Sequence, residues 1–487
     1  MATGNDYLIQ KKPLNALIIF ALPMIIGNLF QQTYTMADSA IVGRLVGEQA
    51  LAAVGASYSL TNIFICVAIG GGIGASVIVS RYFGAKEYSK MKLAVYTAFI
   101  SFLATSLLLA VLGLILGRHI MILLNTPVDV LDMASKYLSI YFMGLPFLFM
   151  YNVVSSMFNA LGKSRIPLCF LIFSSLFNIL LDFCFVKYLS LGVAGVAWAT
   201  LIAQGISAAL SFGVFLKVLH HLCYDPNHPK SSELKESYDI ISERAELKNA
   251  VSENETLSDR LFSREELFSM TRIALPSILQ QSIVSIGMML VQSVVNSFGS
   301  QALAGFSAAM RVESICIVPM AAIGNAVSSF TAQNIGACKE DRVTEGYHAA
   351  NTMVIFCAVI LCLILEFFAR PITLFFLGDE GTPTAVETSL GYLYFIGWFF
   401  CLIGFKMAVD GLLRGAGDMK MFTVANLVNL FIRVTISVTL APRLGIAMVW
   451  YSVPVGWFAN WAISYSQYRT GKWKKITKDL PDDTATG

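Results

Sequence analysis

Pro23-Met-Ile-Ile-Gly-Asn28-Leu-Phe-Gln31-Gln-Thr-Tyr34-Thr35-Met-Ala-Asp38 lies inside an apolar run that begins near Ala16 and ends at Arg44. On a helix, Asn28, Gln31, Thr35 and Asp38 follow one another at steps of three, four and three, so they share a face. The result is a polar stripe ending in a carboxylate within a stretch long enough to cross a membrane. A carboxylate there is costly unless it meets a partner or lines a wet cavity, which makes it a candidate for an ion or substrate pathway. Pro23 lacks a backbone N–H and is a candidate kink at the start of the stripe.

The rest of the chain has the same character. Its 487 residues are 56% hydrophobic and 13% charged, with a mean hydropathy of +0.67. Apolar runs of about 20 residues or more, each enough for one helical span, recur about twelve times between residues 16 and 467. The chain reads as an all-α polytopic membrane protein, not a barrel, whose strands would alternate. Lys11 and Lys12 precede the first span without a cleavage pattern, so that span is read as retained. Lys and Arg concentrate in alternate loops and in the tail, which places both termini in the cytoplasm and the protein in the cell (inner or plasma) membrane. A net charge of +3 gives no reason to expect a nucleic-acid partner. Nine cysteines lack disulfide or metal spacing, and five histidines form no catalytic constellation. An enzyme is not expected, and neither is a cofactor.

The sequence is a tandem duplication. Ala21-Leu22-Pro23 recurs as Ala274-Leu275-Pro276, Gly47-Glu48-Gln49-Ala50-Leu51-Ala52 as Gly299-Ser300-Gln301-Ala302-Leu303-Ala304, and Leu191-Gly192-Val193-Ala194 as Leu444-Gly445-Ile446-Ala447. Six spans per copy is an even number, so both copies enter from the same side. Two six-helix lobes are then related by a pseudo-two-fold axis along the membrane normal. The expected division is an N-lobe over 1–222, a polar cytoplasmic linker over 223–266, a C-lobe over 267–470 and a tail over 471–487. Gly70, Gly71, Gly72 and Gly74 read as a close-packing seam, since no strand precedes them to make a phosphate loop.

Asp38-Ser-Ala-Ile-Val-Gly43 closing the first span, Asn159-Ala-Leu-Gly162 after the fourth and the repeated Ala-Leu-Pro together resemble the multidrug and toxic compound extrusion (MATE) family over nearly the whole chain. The resemblance implies export of organic, often cationic, small molecules in exchange for protons or sodium ions. By the same resemblance, Asn178 and Asp182 of the fifth span, Thr200 of the sixth and Asp38 match the family's N-lobe cation site, and Tyr34 and Tyr137 match nearby aromatic hydroxyls. That oxygen set suits a hard cation such as sodium, and two carboxylates brought close together would also share a proton.

The second copy does not repeat the acids: Val291 stands near the position of Asp38, and residues 435–437 near that of Asp182. A polar face with Gln281 and Ser285 survives in the seventh span. An acid expected there in the NorM branch would fall near Ser285, so the resemblance is to the DinF-like branch. The C-lobe instead carries Arg311, Glu313, Lys406, Asp410 and Arg433 within its spans, read as a buried ion network or as substrate contacts. Pro23, Asn28, Gln31, Tyr34, Thr35, Tyr137 and Gln281 are cavity or gating candidates. Small organic molecules and membrane lipids are the expected partners, and a monomer the expected state. A flippase for a lipid-linked precursor is the alternative function, and a channel a further rival.

Overall fold

The computed structural model describes residues 6–123, 126–223, 260–377 and 382–476. Among them every regular element is a helix. The first copy comprises a short α1 (Tyr7–Gln10), then α2 (Pro13–Ile41), α3 (Glu48–Ala85), α4 (Tyr88–Leu123), α5 (Val128–Ala160), α6 (Arg165–Phe183) and α7 (Gly192–Cys223). The second comprises α8 (Arg264–Asn296), α9 (Ser300–Gly336), α10 (Glu340–Leu377), α11 (Pro383–Gly397), α12 (Phe400–Ala416), α13 (Met419–Leu444) and α14 (Ala447–Arg469), with a short α15 (Lys472–Ile476) after it. The duplication therefore extends to the elements. Gly47 and Gly299, a repeat pair, both adopt positive φ (111° and 95°) in the turn before α3 and α9, where a side chain would be strained.

Among the described residues ten helices are long and apolar enough to cross a membrane, eleven if α11 and α12, bent by 55°, are taken as one span. The sequence predicts one continuous span there, over 386–413. The break instead falls after Gly397, where Phe399 N–H closes a tight turn on the Ile396 carbonyl. Its counterpart α5 runs unbroken through Pro146. The remaining long helix, α14, carries three Trp, three Tyr and three Ser, which are less apolar than the Leu, Ile and Val of the other spans.

Helix faces show why these residues can sit in lipid. On α6, Ser175, Asn178 and Asp182 are buried while Leu176 and Leu180 are each 57% exposed. The polar stripe turns inward and the apolar one outward, the reverse of a soluble amphipathic helix. On α2, Ile18, Leu22 and Ile26 make an exposed apolar ridge at steps of four.

The chain divides into two compact units: Met1–Thr33 with Leu275–Gly487, and Tyr34–Ala274. The sequence duplication places residues 1–222 together. Packing instead groups the start of α2 with the second copy, because Ala16, Leu17, Phe20 and Ala21 join a core with Val291, Phe306 and Met320. In the same unit the carbonyls of Leu8 and Lys11 accept from Arg342 Nη2 at 3.1 and 2.7 Å, and the Leu8 carbonyl also accepts from Asn334 at 3.2 Å.

The unit Tyr34–Ala274 has its own core. Gly72 faces Ser156 of α5 so closely that a Cβ would lie 2.5 Å from its Oγ, and a Cβ at Gly74 would meet the Met270 carbonyl at 2.7 Å. The glycine seam does bring helices together. Residues 224–259, most of the expected linker, lie outside the described residues, as does the tail beyond 476. Helix α8 already starts at Arg264, and Ser263 Oγ caps it by accepting from Glu266 N–H at 3.3 Å. Glu266 in turn accepts from Tyr82 at 2.7 Å.

Candidate functional site

Four helices of the unit Tyr34–Ala274 converge on two carboxylates. Helix α2 supplies Tyr34 and Asp38, α5 Tyr137, α6 Asn178 and Asp182, and α7 Thr200. The i, i+4 spacing of Asn178 and Asp182 puts both on the inward face of α6. Asn178 is 2% exposed and Asp182 fully buried, while Tyr34, Asp38, Tyr137 and Thr200 are half-buried.

Hydrogen bonds join them. Tyr34 OH is bonded to the Asn178 amide, whose nitrogen donates to Thr200 Oγ1 at 3.3 Å. Turned by 180°, the same amide donates to Asp182 Oδ2 at 3.1 Å and accepts from the Thr200 backbone N–H at 3.0 Å. The turned orientation serves the carboxylate better, since an amide oxygen facing a carboxylate oxygen is repulsive. The carboxyl groups of Asp38 and Asp182 lie within hydrogen-bonding reach of each other, and Tyr137 within electrostatic reach of both. Oδ1 of Asp38 and Oδ1 of Asp182 are shut away from solvent and have no hydrogen-bond donor among the described residues. Two buried acceptors without donors are costly, and a shared proton or a hard cation is what would satisfy them.

Beyond this cluster lie two features that sequence reasoning missed. Both acid-bearing helices end in a π-helical turn: α2 continues into Val42–Val46, with Gly47 N–H bonded to the Val42 carbonyl at 3.3 Å, and α6 into Cys184–Tyr188, with Leu189 N–H on the Cys184 carbonyl at 3.2 Å. The two turns touch, and Val42 and Val186 pack in one cluster beside Tyr137. Such turns are frequent at functional sites. The second is Tyr141, stacked on Tyr137 with centroids 6.5 Å apart, its buried hydroxyl without a partner among the described residues. Its place one turn after Tyr137 is the only hint in the sequence.

The remaining candidates divide. Thr35 is exposed one residue from Tyr34. Asn28 and Gln31 are also exposed, Pro23 is buried, and all three group with the second copy. Helix α2 passes through Pro23 without a break in its helical residues. Gln281 is half-buried on α8, its backbone carbonyl accepting from Ser285 Oγ at 3.1 Å.

The charges of the second copy are mostly satisfied. Lys406 Nζ lies 3.3 Å from Asp410 Oδ2, both buried, and Asp410 Oδ1 accepts from Ser464 Oγ at 2.7 Å. Glu313 is buried and accepts a hydrogen bond from Tyr392 OH. Arg414, which sequence reasoning passes over, is buried on α12 and donates to Asn325 Oδ1 at 2.7 Å. Arg311 corrects the expectation of a buried charge: it is exposed. Two helical steps turn a side chain by about 200°, so with Glu313 facing the core Arg311 faces away.

The MatE family model matches residues 23–184 and 276–439, one segment in each copy. The probable multidrug resistance protein YpnP of Bacillus subtilis is 28% identical over 468 residues, which cover 96% of this chain and 97% of that protein. YoeA of Bacillus subtilis, also described as a probable multidrug resistance protein, is 26% identical over 495 residues, covering 98% and 99%. The fold matches that of a MOP superfamily transporter from Pyrococcus furiosus with a TM-score of 0.82 over 99% of this chain and 100% of that one, at 21% identity. Matched in both of its copies and over more than half its length, the chain belongs to the MatE family, that of the multidrug and toxic compound extrusion transporters, and is a multi-pass membrane transporter, not an enzyme.

Proposed function

We propose that this protein is a secondary active exporter of organic, often cationic, compounds, driven by protons or sodium ions through alternating access. The names of the Bacillus subtilis relatives favour drug-like substrates over a lipid-linked precursor. The reading places it in the cell membrane as a monomer with both termini cytoplasmic, and on the DinF-like side of the family, with its coupling site in the first copy.

The single observation that carries the proposal is the buried Asp38–Asp182 pair with an undonated oxygen on each. Asp38, Asn178, Asp182 and Thr200 hold the coupling ion. Asn178 has two roles, because its surroundings favour nitrogen toward Asp182 only while no cation lies between them. With nitrogen toward Asp182 it donates to the carboxylate when no ion is bound; with oxygen toward Asp182 it adds a ligand for a cation. Tyr34 follows the amide through their hydrogen bond and so couples ion occupancy to α2. Coupling requires the ion to bind one access state more tightly than the other, since equal affinity shifts no population. Movement of α2 about Pro23 changes the setting of Asp38 and supplies that difference.

Ethidium loaded into proteoliposomes tests this. An imposed proton or sodium gradient drives efflux by the wild type, and Asp182→Asn reduces it to the protein-free background. Equal efflux by the two proteins under either gradient rejects the coupling site.

A further inference from the structure

One charged side chain of the second copy stands apart from the satisfied pairs. Arg433, at mid-length on α13, makes no hydrogen bond and no ion pair within 4 Å among the described residues, and its Nε is buried without an acceptor. The acid in electrostatic reach, Glu313, is already engaged by Tyr392. The Arg433 side chain lines a cavity of about 20 Å³ between α8 and α13, together with Gly287, Asn426 and Asn429. Asn429 Oδ1 is also buried without a partner. Asn426 is fixed: its nitrogen donates to the Phe422 carbonyl at 2.8 Å and its oxygen accepts from Asn460 at 3.1 Å.

The backbone makes room for this arrangement. A Cβ at Gly456 would collide with Asn429 Oδ1 and lie 2.9 Å from Arg433 Cγ, and one at Gly287 would lie 2.5 Å from a Leu430 methyl. Glycine on α14 lets both polar side chains lie in the seam, and glycine on α8 admits Leu430 beside them.

We infer that Arg433 and Asn429 form a receiving site for the oxoanion group, carboxylate or phosphate, of an amphiphilic transported molecule. The guanidinium presents a fork of donors matched to a two-oxygen anion, and turning the Asn429 amide, whose oxygen has no partner, would add its nitrogen as a donor. A cavity of this volume admits about one water-sized group, so it takes one oxygen of the anion and leaves the rest of the molecule outside it. Depth favours a transported molecule over a lipid headgroup. At 1.5 Å per residue, Arg433 is about 21 Å along the helix from Met419 and about 16 Å from Leu444, far from either interface. This inference rests on the exporter reading and extends it: the same protein would move zwitterionic or acidic amphiphiles as well as cations.

Binding of 5-carboxyfluorescein and of ethidium to the purified full-length protein in neutral detergent, read by fluorescence polarisation, tests it, with ethidium efflux from proteoliposomes run in parallel. Arg433→Gln is expected to lower the carboxyfluorescein-to-ethidium affinity ratio at least tenfold. Asn429→Asp, which gives Arg433 a carboxylate partner, is expected to do the same and serves if the first variant does not fold. An unchanged ratio in the folded variants overturns the inference and leaves a cavity that holds water only. Competition by phosphatidylglycerol, with no carboxyfluorescein transport, also overturns it by identifying the anion as a lipid headgroup. Ethidium efflux by a wild type that does not bind carboxyfluorescein rejects the anion site alone, whereas absence of efflux rejects the exporter reading itself.

Discussion

The two copies share a scaffold and differ in how they treat charge. In the first, Asp38 and Asp182 face one another with undonated oxygens, and the helices that carry them end in π turns. In the second, the equivalent helices α8 and α13 run to Asn296 and Leu444 as regular α-helix. There Asp410 has Lys406 and Ser464, Glu313 has Tyr392, and Arg414 has Asn325. Duplication copied the backbone, and side chains then divided the labour. A buried carboxylate with an opposite charge beside it is structural, because breaking the pair leaves an uncompensated ion: Asp410 Oδ2 has no hydrogen-bond donor but lies 3.3 Å from Lys406 Nζ. Two buried acids facing one another without donors or a counter-charge among the described residues have a vacancy that a transported ion can fill.

This contrast is most easily broken by neutralising one acid in each copy. Asp410→Asn leaves Lys406 without its carboxylate and is expected to cost about 3–5 kcal/mol of stability, read as a lower unfolding midpoint in detergent. Replacing both members together, Lys406→Met with Asp410→Leu, is expected to recover most of that loss. Asp182→Asn should do the reverse of Asp410→Asn: the midpoint holds or rises, since two facing carboxyls become one, while coupled efflux is lost. Equal destabilisation by the two single variants would erase the proposed division.

A smaller effect sharpens the comparison. Tyr392→Phe removes the donor to buried Glu313 and is expected to cost about 1–3 kcal/mol, whereas Tyr34→Phe, whose partner is an amide with a second donor available, should leave the midpoint nearly unchanged and lower efflux. Smallest of all is Arg118→Ala. Its 2.8 Å pair with Asp132 is 57% and 82% exposed, so its loss should shift stability by less than about 1 kcal/mol.

Much of this was legible in the sequence for one reason: polar residues are expensive inside apolar runs. Asp38, Asn178, Asp182 and Thr200 stand out against their surroundings, and the fold brings them together. The duplication was equally readable from short repeats at a constant offset. Facing was harder to read. Helix α9 is buried around most of its circumference, so hydrophobic periodicity could not tell the inward Glu313 from the outward Arg311. Proline was a poor guide to breaks, since α5 continues through Pro146 while the break after Gly397 has no proline. The π turns rest on i to i+5 hydrogen bonds, which leave no residue signature. The division of the chain within α2 was hidden because repeats record descent, and packing follows the apolar face.

The central claim is that the acid pair of the first copy holds the ion that is exchanged for substrate. Its most direct test adds ethidium to purified protein in weakly buffered detergent, recording proton release with a pH dye and sodium release with a radioactive tracer, for wild type, Asp38→Asn and Asp182→Asn. The account predicts that ethidium displaces one of the two ions from the wild type and neither ion from either variant. Displacement of the same size from all three proteins would contradict it.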